Sequence, residues 1–212
     1  MKAVLFDFWG TLVENGVYPS PVRQVRRVMG LRDTPFPEFI TTFEHSFMTK
    51  RFASLKDAFE ESAKAFGLEP GAPMIESLIG MWNKNTLLAK LYPESTDVLL
   101  RLKEKGVKIG LVSNTDSFSV TAVLEKYKLP ELFDHINLSC DAGMLKSDPE
   151  MFATSLKALG VSKDDAVMVG DSMESDILGA QAAGIRAILI DRRNRREYED
   201  KILNLAELER MA

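Results

Sequence analysis

From Tyr92 onward, short apolar runs alternate with segments of helical periodicity, and this alternation limits the possible folds more than any other feature of the chain. The apolar runs cover 107–112, 136–138, 166–169 and 187–190, and none shows the every-other-residue polarity of a half-exposed strand. Strands of that kind are buried on both faces, as in a parallel sheet with helices on either side. Helices are predicted between them over 95–105, 118–127, 149–160 and 177–183, with a last short one over 204–211. Val98, Leu99 and Leu102 form the inward face of the first, Gly106 stops it, and Asp148-Pro149 opens the third. Strand and helix in regular turn imply βαβ units and a doubly wound α/β sheet. One further buried strand, Ala3 to Phe6, stands near the N-terminus and ends in a Gly10-Thr11 turn.

Between that strand and Tyr92 the pattern is helical throughout. Val22, Val25, Val28 and Met29 recur at helical spacing, and Phe36, Phe39, Ile40, Phe43 and Phe47 do so more strongly, with Thr34 as the expected cap and Pro35 as the first helical residue. Ser54 is the expected cap of a third helix carrying Leu55, Ala58, Phe59, Ala63 and Phe66, stopped at Gly67; a fourth, entered through Pro73, carries Met74, Ile75, Leu78, Ile79 and Trp82. Single apolar stripes of this kind read first as helix packing. An all-helical insert after the first strand would cover the strand ends of the sheet, where ligands bind in doubly wound folds.

Composition excludes several function classes. The 212 residues carry a net charge of −4, which disfavours a nucleic-acid or membrane-surface partner. Cys140 is the one cysteine, so no internal disulfide is possible and a cytoplasmic setting is expected. No run approaches the roughly 20 apolar residues that cross a bilayer. A soluble protein acting on a small molecule is the expectation.

Four polar segments follow strands in order: Asp7-Phe8-Trp9-Gly10-Thr11-Leu12, Val112-Ser113-Asn114-Thr115, Lys146-Ser147-Asp148-Pro149 and Gly170-Asp171-Ser172-Met173-Glu174-Ser175-Asp176. In order and spacing they resemble the four motifs of the haloacid dehalogenase superfamily, over nearly the whole chain. The resemblance implies a Rossmann-like core at 1–13 and 91–212, a helical cap at 14–90, and hydrolase activity. A carboxylate at a strand end can attack phosphorus or carbon and form a covalent intermediate, and that role falls to Asp7. Asp171 and Asp176 bring two more carboxylates near it, and three such groups repel one another unless a cation sits among them. Oxygen-only ligation suits Mg²⁺. By resemblance Asp7, Asp171 and the backbone carbonyl of Trp9 are direct ligands, while Asp176 acts through water or holds the loop; a plain acid at a helix N-terminus is its other reading. Ser113 is expected to donate to a phosphoryl oxygen and Lys146 to neutralise Asp7 and developing charge. Thr11 is expected to brace the site and Asn114 to orient the substrate.

One position departs from the pattern. Phosphatases of the superfamily carry a second Asp two residues after the nucleophile, which protonates the leaving oxygen and later activates water. Trp9 occupies that position here and cannot transfer a proton. The superfamily's dehalogenases also lack that Asp and have a tyrosine there, since halide leaves without an acid. Their fourth motif, however, resembles Ser-Ser-Asn-x-x-Asp, whereas this chain has Asp171 at the serine and Met173 at the asparagine. Three readings follow: a Mg²⁺-dependent phosphohydrolase acting through an aspartyl phosphate on Asp7, a 2-haloacid dehalogenase, or a low-turnover phosphate-binding regulator. Trp9 is expected to face the substrate pocket. The run Arg192-Arg193-Asn194-Arg195-Arg196, followed by acids, reads as a solvated loop.

Overall fold

In the computed structural model, which describes residues 1–211, strand β1 (Ala3–Phe6) leads through a tight loop to β2 (Val13–Glu14) and then to helices α1 (Pro21–Val28), α2 (Phe36–Met48), α3 (Leu55–Ala65) and α4 (Ala72–Leu88). The chain returns through β3 (Lys90–Leu91) and continues as α5 (Ser95–Glu104), β4 (Lys108–Ser113), α6 (Ser117–Lys126), β5 (His135–Leu138), α7 (Ser139–Ala142), α8 (Pro149–Leu159) and β6 (Ala166–Gly170). A π-helical turn (Met173–Leu178), α9 (Gly179–Ala182), β7 (Arg186–Ile190), β8 (Lys201–Ile202) and a 3₁₀ helix (Leu205–Arg210) complete it. No helix among the described residues is long and apolar enough to cross a membrane.

The main sheet has the order β5-β4-β1-β6-β7-β8, and every neighbouring pair is parallel. β1 is central: Phe6 lies opposite Leu111 of β4 and Val169 of β6. The chain therefore winds outward in both directions from β1, and the carboxyl ends beside it form the crevice where such sheets bind ligands. Alternation along β1 serves two cores. Val4 and Phe6 pack with Val98, Leu99 and Val120 on one face, and Ala3 and Leu5 pack with Met151, Phe152 and Met168 on the other. Each fully buried side chain of this size contributes about 1.5–3 kcal/mol.

Helices α1–α4 have a core of their own, built on Phe39, Phe43, Phe47, Phe59, Leu78 and Trp82. The aromatic stripe of α2 is thus mainly packing: Phe43 and Phe47 stack at 4.9 Å, and Trp82 meets Phe47 edge-on at 4.9 Å. The two strands that carry the chain out of the sheet and back, β2 and β3, pair antiparallel, with Val13 opposite Leu91. Away from those strands, the Trp82 indole N–H donates to Asp116 at 3.1 Å, and Asp116 caps α6 through the N–H groups of Phe118 and Ser119.

Several local expectations change. Ser54 caps α3 as expected, its hydroxyl accepting from the Asp57 N–H. Thr34 does not cap α2; Pro35 precedes the first helical residue, and the second, Pro37, has no N–H to be capped, so little is lost. The carbonyl of Thr34 is instead taken by the Arg26 guanidinium. The helix expected at 177–183 begins earlier, at Met173, as a π turn in which the Ile177 N–H reaches back five residues to the Ser172 carbonyl. The C-terminal helix is 3₁₀, held by a capping box between Asn204 and Glu207. The arginine run is not simply solvated: Arg192 pairs with Glu94 at 2.6 Å and lies 3.4 Å from the centre of the Tyr92 ring, and Lys201–Ile202 adds an edge strand beyond it.

Candidate active site

Asp7 follows β1 directly, and its own N–H remains in the sheet, bonded to the Val169 carbonyl. Its carboxylate is held from several sides. Lys146 Nζ donates to Oδ1 at 2.6 Å, Ser113 Oγ to the same oxygen at 3.2 Å, and Thr11 Oγ1 to Oδ2 at a looser 3.4 Å. Ser113 and Thr11 are fully buried and do not line the cavity, so as placed their hydroxyls serve Asp7. Lys146, only 2% exposed, also donates to Asp176 Oδ1 at 2.5 Å, while Asp176 Oδ2 accepts the Ser172 N–H at 2.9 Å. The wide π turn is what directs Asp176 inward, and such turns recur at functional positions.

Asp171, just past β6, completes a group in which Asp7, Asp171 and Asp176 each bring a carboxylate oxygen within 4.8 Å of the others. Glycine is needed beside it: Gly10 has φ +83°, and a Cβ there would run into the Asp171 carboxylate. Around Gly10 the loop bonds fall on the carbonyls of Phe8 and Val13; that of Trp9 accepts none of them. Burial, reinforced by the charges of Asp7 and Asp176, pushes the Asp171 carboxyl up to about 8. Burial likewise raises Asp7 to about 6, with Asp176 adding to the rise and Lys146 opposing it. For Lys146, burial works against the charge, but Asp176 and Asp7 outweigh it and hold the ammonium more firmly charged than an ordinary lysine. One buried ammonium thus faces three carboxylates, with the Arg196 guanidinium also acting on Asp171. The residual negative charge, the all-oxygen donor set and the Trp9 carbonyl, which accepts no hydrogen bond among the described residues, fit a hard divalent cation such as Mg²⁺.

These groups open into a cavity of about 620 Å³ between the strand ends and helices α1, α2 and α4. Trp9 lines it, its indole N–H donating to Thr115 Oγ1 at 3.1 Å and its ring standing edge-on to Phe8. Asn114 lines it too, but both ends of its amide are engaged. Nδ2 donates to Glu44 of α2 at 2.9 Å, and Oδ1 accepts the Lys146 N–H at 2.9 Å.

Three cavity residues were not legible as site residues. Glu44 is one; an acid four residues after Ile40 and one after Phe43, on the edge of the apolar stripe, was the available signal. Arg196 lines the cavity and donates to the Asp171 carbonyl, a contact made across the fold from a loop that reads as solvated. Asn85 of α4 is 3% exposed with its Oδ1 lacking a partner among the described residues.

Comparison with known proteins bears on this arrangement. The family profile described as haloacid dehalogenase-like hydrolase matches residues 1–184. The chain is 28% identical over 197 residues to the glyceraldehyde 3-phosphate phosphatase of Methanothermobacter thermautotrophicus, an alignment covering 90% of this chain and 86% of that protein. The crystal structure of a HAD phosphatase from Thermococcus onnurineus superposes with a TM-score of 0.66 at 27% identity, covering 100% of this chain and 97% of that one. The 2-haloacid dehalogenase of Pseudomonas syringae pv. Tomato shares the fold at a TM-score of 0.64 and 22% identity, with 99% and 97% covered.

Proposed function

Because the chain belongs to the haloacid dehalogenase-like hydrolase family, we propose that it is a Mg²⁺-dependent phosphohydrolase that works through an aspartyl phosphate on Asp7. The observation that carries this reading is Asp171, a third carboxylate within 4.8 Å of Asp7 and Asp176, with one buried ammonium and the Arg196 guanidinium against the three of them. Once ionised, a carboxylate so placed repels an incoming haloacid anion, whereas with a divalent cation it helps to grip a phosphate. Similarity to a phosphatase over most of both chains supports the same choice.

Asp7, Asp171 and the Trp9 carbonyl would hold Mg²⁺, with Asp176 behind them, and the ion would supply positive charge to the phosphoryl oxygens. Lys146 opposes the protonation that burial favours at Asp7 and holds it in place for in-line attack on phosphorus. Ser113 and Thr11 fix the rotation of that carboxylate, so that little reorganisation accompanies the attack. Lys146 also offsets charge that develops on the transferring group. The cap is the segment 14–90, its boundaries the paired strands β2 and β3, and the core is 1–13 with 91–212. The substrate is a small phosphate ester or activated phosphate that fits the cavity under the cap, and the setting is cytoplasmic. Trp9 favours one second reading, displacement of halide from a 2-haloacid, because that reaction needs no acid at residue 9.

Phosphate release from 4-nitrophenyl phosphate, with and without Mg²⁺, tests the proposal on wild type beside Asp7→Asn. Metal-dependent release that the substitution abolishes is the expected result. Chloride release from 2-chloropropionate with no phosphate release would overturn it in favour of the second reading.

A further inference from the structure

Residue 9 leaves a gap in proton transfer, and the cavity contains a group able to fill it. Glu44 projects from α2 among apolar neighbours, with Phe43 and Phe47 buried beside it and Ile40 lining the same cavity. Its side chain makes no ion pair among the described residues, and its one hydrogen bond comes from Asn114 Nδ2 at 2.9 Å. Asn114 is fixed in turn by the Lys146 N–H, and its chain neighbour Ser113 donates to Asp7 at 3.2 Å. Glu44 is thus set against the nucleophile's own support, on the cap side of the same cavity. The charges facing it are Lys146, which favours its ionised form, and Asp176 and Asp7, which oppose it. Burial is the largest influence and brings its carboxyl up to about 7, so both protonation states are populated near neutrality. A proton carrier works best under that condition.

We propose that Glu44 is the general acid and base of this site, taking over from the cap side the proton transfers that Trp9 cannot make. The proposal rests on the phosphohydrolase reading. In the first step the Asp7 carboxylate bonds to phosphorus and the bond from phosphorus to the ester oxygen breaks. Protonated Glu44 gives its proton to that oxygen, so the alcohol leaves neutral and Glu44 becomes a carboxylate. In the second step water bonds to phosphorus and passes one proton to Glu44. The acyl–phosphate bond breaks, and Asp7 returns as a carboxylate alongside inorganic phosphate.

The dependence of rate on leaving group distinguishes this from a purely structural role in holding the cap to Asn114. Glu44→Gln keeps the size of the side chain and an oxygen to accept the Asn114 amide. Values of kcat/KM with saturating Mg²⁺, which cover departure of the alcohol and not the shared hydrolysis of the aspartyl phosphate, are compared for 4-nitrophenyl phosphate, whose leaving group needs little protonation, and glycerol 2-phosphate, whose alkoxide needs it. The alkyl ester is expected to lose about 10²–10⁴-fold in kcat/KM, and the aryl ester at least tenfold less than that. Glu44→Asp, which keeps a carboxyl on a shorter arm, is expected to fall between wild type and Gln on the alkyl ester. Equal losses on both esters, or no loss on the alkyl ester in a variant with wild-type thermal unfolding, would overturn the role of Glu44 while leaving the phosphohydrolase reading intact. A wild type that releases phosphate from neither ester would overturn both.

Discussion

Trp9 and Glu44 approach one cavity from opposite sides of the chain's architecture, the first from the loop after β1 and the second from α2. Trp9 is tied back by its indole N–H to Thr115. It therefore shapes the pocket wall without offering a titratable group, and a carboxylate in its place restores an acid at the usual position. If the two positions share one task, their substitutions are not additive. Trp9→Asp is expected to raise glycerol 2-phosphate turnover about tenfold or more in a Glu44→Gln background, which is a fraction of the 10²–10⁴ that acid–base help supplies, and by much less in the wild type. Equal gains in the two backgrounds, measured as kcat, would show that the residues act independently. Trp9 could be singled out from the sequence because it departs from a motif. Glu44 could not, because nothing near it in the chain predicts that Asn114, 70 residues away, will meet it.

Single helices and turns carry the join between the two halves of the molecule. Asp116 both caps α6 and accepts the Trp82 indole N–H from α4, so one carboxylate serves two elements. Asp116→Ala is expected to cost about 0.5–2 kcal/mol for the lost cap, and about 1–3 kcal/mol more for the buried indole N–H left without an acceptor. In a Trp82→Phe background the second part disappears, so urea denaturation of the four-member cycle should show a smaller cost for Asp116→Ala there. An equal cost in both backgrounds would mean that the indole bond contributes nothing. At this scale the sequence was informative where local pattern decides. The unbroken apolar runs at 166–169 and 187–190 became β6 and β7, and Ser54 took its place as a cap. It was silent where distant partners decide. The π turn at Met173–Leu178 sets Asp176 against Lys146, and Arg192 reaches Glu94 and Tyr92, contacts that no local periodicity encodes.

Across the whole molecule, three acids of the cavity, Asp7 buried and Glu44 and Asp171 half-buried, bear on how stability responds to pH. In the folded chain Asp7 titrates at about 6, Glu44 at about 7 and Asp171 at about 8. Unfolding returns each to the ordinary carboxylate range near 4. Between about 4 and 8 the folded state therefore binds more protons than the unfolded state, and stability falls as pH rises through that window. Acids whose pKa is lowered act elsewhere. Glu94, partly buried but held down by its bond from Arg192, loses its stabilising contribution only as pH falls below the carboxylate range. With a chelator present, Tm is expected to decline from pH 5 to pH 8. Mg²⁺ held by the ionised carboxylates, as proposed, would gain affinity over the same range, so its stabilising effect should grow and flatten the decline. Asp171→Asn removes the group with the highest of the three values, and should both reduce the slope in chelator and abolish the gain from Mg²⁺. A chelated wild type whose Tm rises between pH 5 and pH 8 would show that the three acids are already ionised without a metal, and the electrostatic case for a divalent cation at this site would lose its basis.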